Sequence, residues 1–281
     1  MIALGIVLGI IVFAVIAQLI ELRFFRMTAY ENKTGTIQAA FRIALIADLH
    51  GFSYGKQNSR LLSAIRRAKP DLILVAGDLI VSEKLATYTS MATFAEELPK
   101  IAPTFLSFGN HESRAGKNEA AFAAFEETLR KSGIFFLNNE SKSVTINGNS
   151  LALYGLELPL SFYKKRVDIE MPETMLGDML GACERELFSI LLAHNPAFGD
   201  DYFRWGADLT VSGHTHGGLV RIPGGRSVIS PELKLFPKYD GGHYEQDQKH
   251  LVVSKGLGTH TFHIRIFDRA EVVLIDVKSP S

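Results

Sequence analysis

The chain has 281 residues, enough for one large domain or two small ones. Its 30 basic and 30 acidic side chains give a formal net charge of zero, so no overall positive field favours a nucleic-acid partner, and none is expected. Hydrophobic residues make up 47% of the chain, an ordinary globular composition. The single cysteine, Cys183, excludes an intrachain disulfide and a cysteine-based zinc cluster.

The first 20 residues contain no charged side chain. As an α-helix they would extend about 30 Å, the thickness of one hydrocarbon core. Residues 1–22 are therefore predicted to be a single transmembrane helix that anchors the protein in the cell membrane. Arg23, Arg26 and Lys33 follow it, which by the positive-inside rule places the remaining chain on the cytoplasmic side. The alternative is a cleaved signal peptide, although the usual basic start is missing.

Residues 23–40 are predicted to form a linker or an edge strand. A domain over residues 41–281 then begins with alternating strands and helices, which predicts a largely parallel sheet flanked by helices. The predicted strands cover 41–47, 72–76 and 104–108, and the predicted helices cover 58–69, 85–98 and 118–132. Sheets of this kind bind ligands at the carboxyl ends of their strands.

The second half is richer in strands. A hairpin is predicted over 144–146 and 151–154 around the turn Asn147-Gly148. Two apolar strands then end in histidines, at His194 and at His214-Thr215-His216. The remaining predicted strands cover 228–229, 251–254, 264–267 and 271–277.

Polar side chains collect where the predicted strands end. They are Asp48, His50, Asp78, Asn110, His111, Glu112, His194, His214 and His216. This set of oxygen and imidazole donors suits Mn²⁺, Fe or Zn²⁺ better than a soft metal. It is too large for one tetrahedral ion, whereas two ions that share a carboxylate fit the count. Two ions about 3.5–4 Å apart promote in-line displacement at phosphorus.

These strand-end motifs, in this order, resemble the calcineurin-like metallophosphoesterase superfamily, and the likeness extends from about Phe41 to Val277. The resemblance implies an α/β fold, a four-layer α/β/β/α sandwich, with two divalent metal ions (Mn, Fe or Zn). It implies that one ion is held by Asp48, His50 and His216. It implies that the other is held by Asn110, His194 and His214, and that Asp78 bridges the two.

The resemblance also implies a mechanism. A hydroxide that bridges the two ions would attack the phosphorus atom. His111 would stabilise the phosphate and protonate the leaving oxygen, so it is the expected catalytic residue. Glu112 would orient the loop or a ligand histidine from outside the coordination sphere.

Within the superfamily the chain looks closest to a membrane-anchored bacterial branch, the YkuE/YaeI-like phosphoesterases. The features that carry this are the N-terminal apolar segment, the stretch 235–244 and the turn 252–259. The expected substrate is a phosphoester or a lipid-linked pyrophosphate. Candidate substrate contacts are Tyr239, His243 and His260, whereas His250, which precedes a strand, is expected to be solvated.

Two other functions stay open. One is a lipid pyrophosphohydrolase of the UDP-2,3-diacylglucosamine type, supported by the anchor and by the cluster 162–166 (Phe-Tyr-Lys-Lys-Arg), which would grip an anionic lipid headgroup. The same cluster is also explained as a solvated loop with two packed aromatic rings. The other function is a catalytically silent, membrane-tethered scaffold, which the complete set of candidate ligands argues against.

Overall fold

The computed structural model describes residues 2–116, 119–165, 167–218, 220–222, 225–230, 233–259, 265 and 268–280. The α-helices are α1 (Ile2–Arg23), α2 (Ser59–Ala68), α3 (Leu85–Ala95), α4 (Asn110–Ala115), α5 (Glu119–Lys131), α6 (Met175–Leu180) and α7 (Gly199–Trp205). The strands of the first half are β1 (Phe25–Lys33), β2 (Phe41–Ile46), β3 (Leu72–Ala76), β4 (Thr104–Ser107), β5 (Phe135–Phe136), β6 (Glu140–Ile146) and β7 (Asn149–Leu156). Those of the second half are β8 (Phe188–Ala193), β9 (Leu209–Ser212), β10 (Val220–Arg221), β11 (Ser227–Ile229), β12 (Gly242–Gln246), β13 (Lys249–Val253) and β14 (Ala270–Lys278).

The first sheet has the strand order β1-β14-β2-β3-β4-β5. Strands β2 to β5 run parallel, as the alternating pattern predicted, and β14 is antiparallel to β2. The short apolar run of β3 is buried along its whole length, which is typical of a parallel strand covered on both faces. The carboxyl ends of β2, β3 and β4 therefore meet at one edge.

The second sheet has the strand order β12-β13-β9-β8-β7-β6. Strands β7, β8, β9 and β13 run parallel, and an antiparallel strand closes each side. The predicted hairpin is β6 and β7, joined by Asn147 and Gly148, which both have positive φ. This is the backbone that a two-residue hairpin turn requires. The carboxyl ends of β8 and β9 lie side by side.

Apolar cores hold the sheets and helices together. One lies between the sheets and joins residues of β2, β3, β4 and β14 to residues of β7, β8, β9 and β13. A second packs α2, α3 and α5 on the outer face of the first sheet, and a third packs α6 and α7 on the second sheet. In β3 the side chains alternate between cores: Leu72 and Leu74 face the second sheet, and Ile73 and Val75 face the helices. The prediction of a mixed α/β fold is confirmed.

The N-terminal segment differs from expectation. Residues 2–23 form α1, but among the residues that the structure describes no helix is both long and apolar enough to cross a membrane. The predicted single-pass membrane location is therefore wrong. The last turns of α1 make polar contacts with the domain instead: the backbone N–H of Arg265 donates to Gln18 Oε1 (2.9 Å), and Arg269 Nε lies 3.5 Å from Glu21 Oε2.

Two further segments differ in detail from the predicted elements. Between residues 23 and 40, β1 is an edge strand that runs parallel to β14, with Phe25 opposite Ala270 and Lys33 opposite Lys278. The six residues of α4 follow directly after the turn at Gly109, where no helix was predicted. The strand predicted over 264–267 and the cap Asn118 lie outside the described residues, except for Arg265.

Candidate metal centre

The candidate ligands follow the carboxyl ends of four parallel strands. Asp48 and Asp78 each lie two residues beyond the ends of β2 and β3, His194 comes directly after β8, and His214 lies two residues beyond β9. Left-handed backbone marks these turns, with positive φ at Asp48 (53°), His50 (48°), Asp78 (56°), His214 (69°) and His216 (51°). Such a conformation costs a non-glycine residue about 1–3 kcal/mol and is concentrated at functional sites.

The carboxylates of Asp48 and Asp78 lie at the middle of the site. Asp48 Oδ1 is 3.8 Å from Nε2 of His194, 3.8 Å from Nε2 of His216 and 4.0 Å from Nε2 of His50. Asp78 Oδ2 is 3.2 Å from Nε2 of His194 and 3.7 Å from Nε2 of His50. Donor atoms bound to one ion at about 2.0–2.2 Å are separated by roughly these distances.

The donor atoms fall into overlapping groups. Each group offers one atom per residue, and all atoms within a group lie within 4.8 Å of one another. The groups are Asp48 with His50 and His216, Asp78 with His194 and His214, and Asp78 with His50 and His111. The described residues therefore include His/Asp clusters that could hold two metal ions, with Asp78 next to both.

Backbone carbonyl groups fix the orientation of three of the histidine rings. Nδ1 of His194 lies 2.7 Å from Ala76 O, Nδ1 of His50 lies 3.3 Å from Ile80 O, and Nδ1 of His216 lies 3.1 Å from Gly258 O. Because a carbonyl oxygen only accepts, Nδ1 carries the proton in each neutral ring and Nε2 keeps a lone pair. This is the usual arrangement around a metal-bound histidine.

Two buried polar atoms test whether the site suits a metal ion. Asn110 Oδ1 is buried without a hydrogen-bond partner among the described residues, and the buried His194 Nε2 faces the Asp78 carboxylate at 3.2 Å. A buried polar atom without a partner costs about 1–3 kcal/mol. Coordination of a cation would satisfy both atoms, so the donor set fits a bound metal.

The electrostatics also favour a cation. Burial raises the pKa of Asp48 to about 6. Burial opposes ionisation of Asp78 as well, but the neighbouring His194 outweighs it, and the pKa of Asp78 is well below its usual value. Burial disfavours a protonated His194, yet the two carboxylates raise its pKa to about 10. Burial and the nearby His50 hold the pKa of His216 well below its usual value, so this ring is neutral. The carboxylates of Asp48 and Asp78 therefore favour a cation beside the neutral imidazole ring of His216.

Glu112 holds the turn that carries Asp78. Its Oε2 accepts hydrogen bonds from the backbone N–H groups of Asp78 (2.7 Å) and Gly109 (3.0 Å). Its Oε1 accepts from those of Leu79 (2.8 Å) and Ile80 (3.3 Å). Both oxygens of the buried carboxylate are therefore occupied by N–H donors, so Glu112 supports the turn from behind.

His111 lies on the other side of the same turn. Its backbone N–H donates to Asp78 Oδ1 (2.8 Å), and its ring is edge-to-face with that of His50 at 4.9 Å. The ring Nδ1 accepts a hydrogen bond from the backbone N–H of Ser82 (3.2 Å). The neutral ring therefore carries its proton on Nε2. Burial lowers the pKa of His111, which favours this neutral form.

The candidate substrate contacts are not all near this centre. Tyr239 borders a cavity that His214 also lines, and its hydroxyl donates to Asp200 Oδ1 (2.8 Å). His243 instead lies on β12, with Nε2 2.8 Å from Nδ1 of His250. The expectation that His250 is solvated is wrong. His250 belongs to β13, which lies between β12 and β9, and the residue is buried. His260 lies outside the described residues.

The cluster 162–166 contributes an aromatic ring to the site. Tyr163 is edge-to-face with His214 at 5.1 Å, and Phe162 packs on Phe198 at 5.3 Å. Lys164 and Lys165 are exposed, and Arg166 lies outside the described residues. The interpretation as a loop with two packed aromatic rings agrees with these contacts.

Sequence reasoning missed Arg265, which is buried. Its Nη2 donates to the carbonyl oxygens of Lys255 (2.8 Å), Gly256 (3.2 Å) and Gly258 (2.9 Å). Gly258 O is also the atom that orients His216. Arg265 therefore braces the turn behind a candidate ligand, and no local sequence signal announces it.

The sequence is similar to those of known proteins. The family described as calcineurin-like phosphoesterase matches residues 41–218, more than half of the chain. Phosphodiesterase YaeI of Escherichia coli (strain K12) is 28% identical over 250 residues, covering 85% of this chain and 83% of YaeI. The uncharacterized metallophosphoesterase YkuE of Bacillus subtilis (strain 168) is 24% identical over 272 residues, covering 94% and 89%. A phosphopantetheinyl hydrolase structure from Mycobacterium tuberculosis aligns with a TM-score of 0.47 and 13% identity, covering 79% and 92%, too low a similarity to support a conclusion.

The family match begins at the first residue of β2 and ends just after His216. It therefore contains all the residues that the structure groups around Asp48 and Asp78. The ordered motifs predicted this family, and the match confirms it. The chain belongs to the calcineurin-like phosphoesterase family and is a phosphoester hydrolase.

Proposed function

We propose that the protein hydrolyses a phosphoester or phosphoanhydride bond at a centre of two divalent metal ions, built on a four-layer α/β/β/α sandwich. The observation that carries this proposal is the convergence of three imidazole Nε2 atoms, of His50, His194 and His216, each 3.2–4.0 Å from a buried carboxylate oxygen of Asp48 or Asp78. Two carboxylates buried in the same site need a counter-charge.

The grouping of donor atoms supports an assignment of ligands. Asp48, His50 and His216 would hold one ion, and Asn110, His194 and His214 would hold the other. Asp78 would contact both, because its carboxylate lies between His50 and His194. Oxygen and imidazole ligands favour Mn²⁺, Fe or Zn²⁺. Bound there, two such ions would supply Lewis-acid charge that neutralises phosphate oxygens and activates water.

The protein's own part in the reaction is assigned to His111. In the neutral ring Nε2–H can donate a hydrogen bond to a phosphate oxygen, because the Ser82 N–H occupies Nδ1 and fixes the tautomer. Proton transfer to the departing oxygen would come from the imidazolium form, whose Nδ1–H can donate to Ser82 Oγ at 3.3 Å. Glu112 holds the Asp78 turn in place during this transfer. Burial of the centre excludes bulk water and strengthens each of these interactions.

A phosphodiester is the substrate class that the relative named as a phosphodiesterase favours. The lipid pyrophosphohydrolase alternative keeps only the 162–166 cluster as support, because the predicted membrane anchor is not confirmed. The half-buried rings of Phe162 and Tyr163 pack on Phe198 and His214, and Lys164 and Lys165 beside them are exposed.

Two variants and a control test the proposal. His111→Ala should keep both metal ions, measured by elemental analysis, and lose about 10²–10⁴-fold in turnover of bis(p-nitrophenyl) phosphate with Mn²⁺. Asp78→Ala should lose both ions. His243→Ala removes a histidine that lies outside the centre and should change neither quantity. Full turnover in His111→Ala, or two ions retained in Asp78→Ala, would show that these roles are misassigned.

A further inference from the structure

A cavity of about 160 Å³ opens beside the candidate metal centre. His214 lines it, so a group bound there would be adjacent to a phosphate held at the centre. Its other walls include Ala197, Thr215, Ser230, Lys234 and Tyr239. Whole drug-sized ligands occupy pockets of about 300–1,000 Å³. This cavity therefore suits one substituent of a substrate rather than a complete ligand.

The charge of the cavity is positive. The described residues that line it include Lys234 and Lys238 but no carboxylate. Lys238 is bound to Asp200, with Nζ at 2.6 and 2.8 Å from its two oxygens. Lys234 Nζ pairs at 3.2 Å with Asp168, whose side chain is 99% exposed. An exposed ion pair of this kind contributes about 0–1 kcal/mol, so Lys234 can exchange Asp168 for a ligand at little cost.

Two hydrogen bonds join Lys234 to Ser230, another residue of the cavity wall. Lys234 N donates to Ser230 Oγ (3.2 Å), and Ser230 N donates to Lys234 O (2.9 Å). Leu233, between them, has a left-handed backbone with φ of 62°. A non-glycine residue in this conformation costs about 1–3 kcal/mol and persists where the surroundings enforce it.

We propose that this cavity is a subsite for a second phosphate of the substrate, recognised by Lys234. The second phosphate would be joined either to the scissile phosphate, as in a phosphoanhydride, or to the leaving alcohol. A tethered phosphate satisfies the three observations together: a small volume, a cationic wall and a position beside His214. This inference rests on the proposed hydrolase function and names the substrate class for it.

The test compares three substrates in the Mn²⁺-loaded full chain. ADP-ribose carries a phosphoanhydride, and a dinucleotide phosphorylated at both ends (pTpTp) has a phosphorylated leaving alcohol whichever P–O bond of its internal diester breaks. Bis(p-nitrophenyl) phosphate has one phosphate. In Lys234→Ala, kcat/KM should fall at least tenfold more for one of the first two than for the third, the size expected for a charge-assisted hydrogen bond. Whichever of the two responds identifies the source of the second phosphate.

Two further variants sharpen the result. Lys234→Arg keeps the charge and should restore most of the preference. Lys131→Ala removes an exposed lysine of α5 that pairs with Glu127 and should leave all three rates unchanged. An equal change on all three substrates in Lys234→Ala would refute the subsite while leaving the hydrolase intact. A metal-loaded wild-type chain that hydrolyses none of them would refute the proposed function itself.

Discussion

Replacing Glu112 by glutamine tests how the Asp78 turn is held. The carboxylate accepts four backbone N–H groups, two on each oxygen, at 2.7–3.3 Å. The amide of glutamine offers one oxygen, and its NH₂ group must face two N–H donors in either orientation. Two charge-assisted hydrogen bonds, each worth about 1.5–3 kcal/mol, are therefore lost.

Part of this loss is offset, because burial raises the pKa of Glu112 to about 7 and the neutral amide avoids burying a charge. We expect the free energy of unfolding to fall by about 2–5 kcal/mol, measured by guanidinium titration at pH 8. Metal affinity should fall with it, because Asp78 is positioned by the same hydrogen bonds.

The matched control is Glu127→Gln, which neutralises an exposed carboxylate paired with Lys131 at 2.7 Å. Exposed pairs of this type contribute about 0.3–0.5 kcal/mol. If both glutamine variants shift the denaturation midpoint by the same small amount, Glu112 does not hold the turn, and its role in placing Asp78 would have to be abandoned.

The remaining predictions concern backbone geometry and pH. Gly77→Ala should destabilise the fold by roughly 2 kcal/mol or more, because φ is 76° and the new Cβ would overlap the backbone nitrogen of Gly109. Gly148→Ala is the control, because its φ is 80° but a new Cβ would meet open space, so it reports the backbone strain alone. Equal shifts of the melting temperature in the two variants would rule out the overlap at Gly77. Burial raises the pKa of Asp268 from 3.8 to about 7, so its stabilisation is complete below pH 3.8 and lost as pH rises through 7. Between pH 5 and pH 8 the free energy of unfolding of the wild type should therefore fall by roughly 2–3 kcal/mol more than that of Asp268→Asn. Parallel curves of unfolding free energy against pH for the two proteins would contradict this.

The parallel strands and most of the candidate site could be predicted because their signals are local. A buried strand is a short apolar run, and the residue that follows it occupies the carboxyl edge of the sheet. This placed Asp48, Asp78 and His194 at the carboxyl ends of strands. In the structure Nε2 of His194 lies 3.8 Å from Asp48 Oδ1 and 3.2 Å from Asp78 Oδ2.

Other parts depend on contacts between residues far apart in sequence. Ser82 fixes the tautomer of His111 across 29 positions, and nothing in the surrounding sequence distinguishes it from another turn serine. Arg265 lies in a segment predicted as a strand, and its importance comes from three carbonyl groups of another turn. Hydropathy likewise predicted a membrane helix, because it cannot detect the polar contacts that Gln18 and Glu21 make with the domain.

The fold extends further toward the N-terminus than the segment that holds the candidate ligands, because strand β1 precedes it. A shortened chain that began at residue 41, where the family match begins, would retain every candidate ligand yet lose all nine residues that pair with β14. That would uncover a long apolar edge with unpaired amide groups, a template for self-association. It would also strip Glu271, which is fully buried, of the hydroxyl of Thr28 and the guanidinium of Arg26. Recombinant material trimmed in this way would be expected to precipitate although nothing catalytic had been removed.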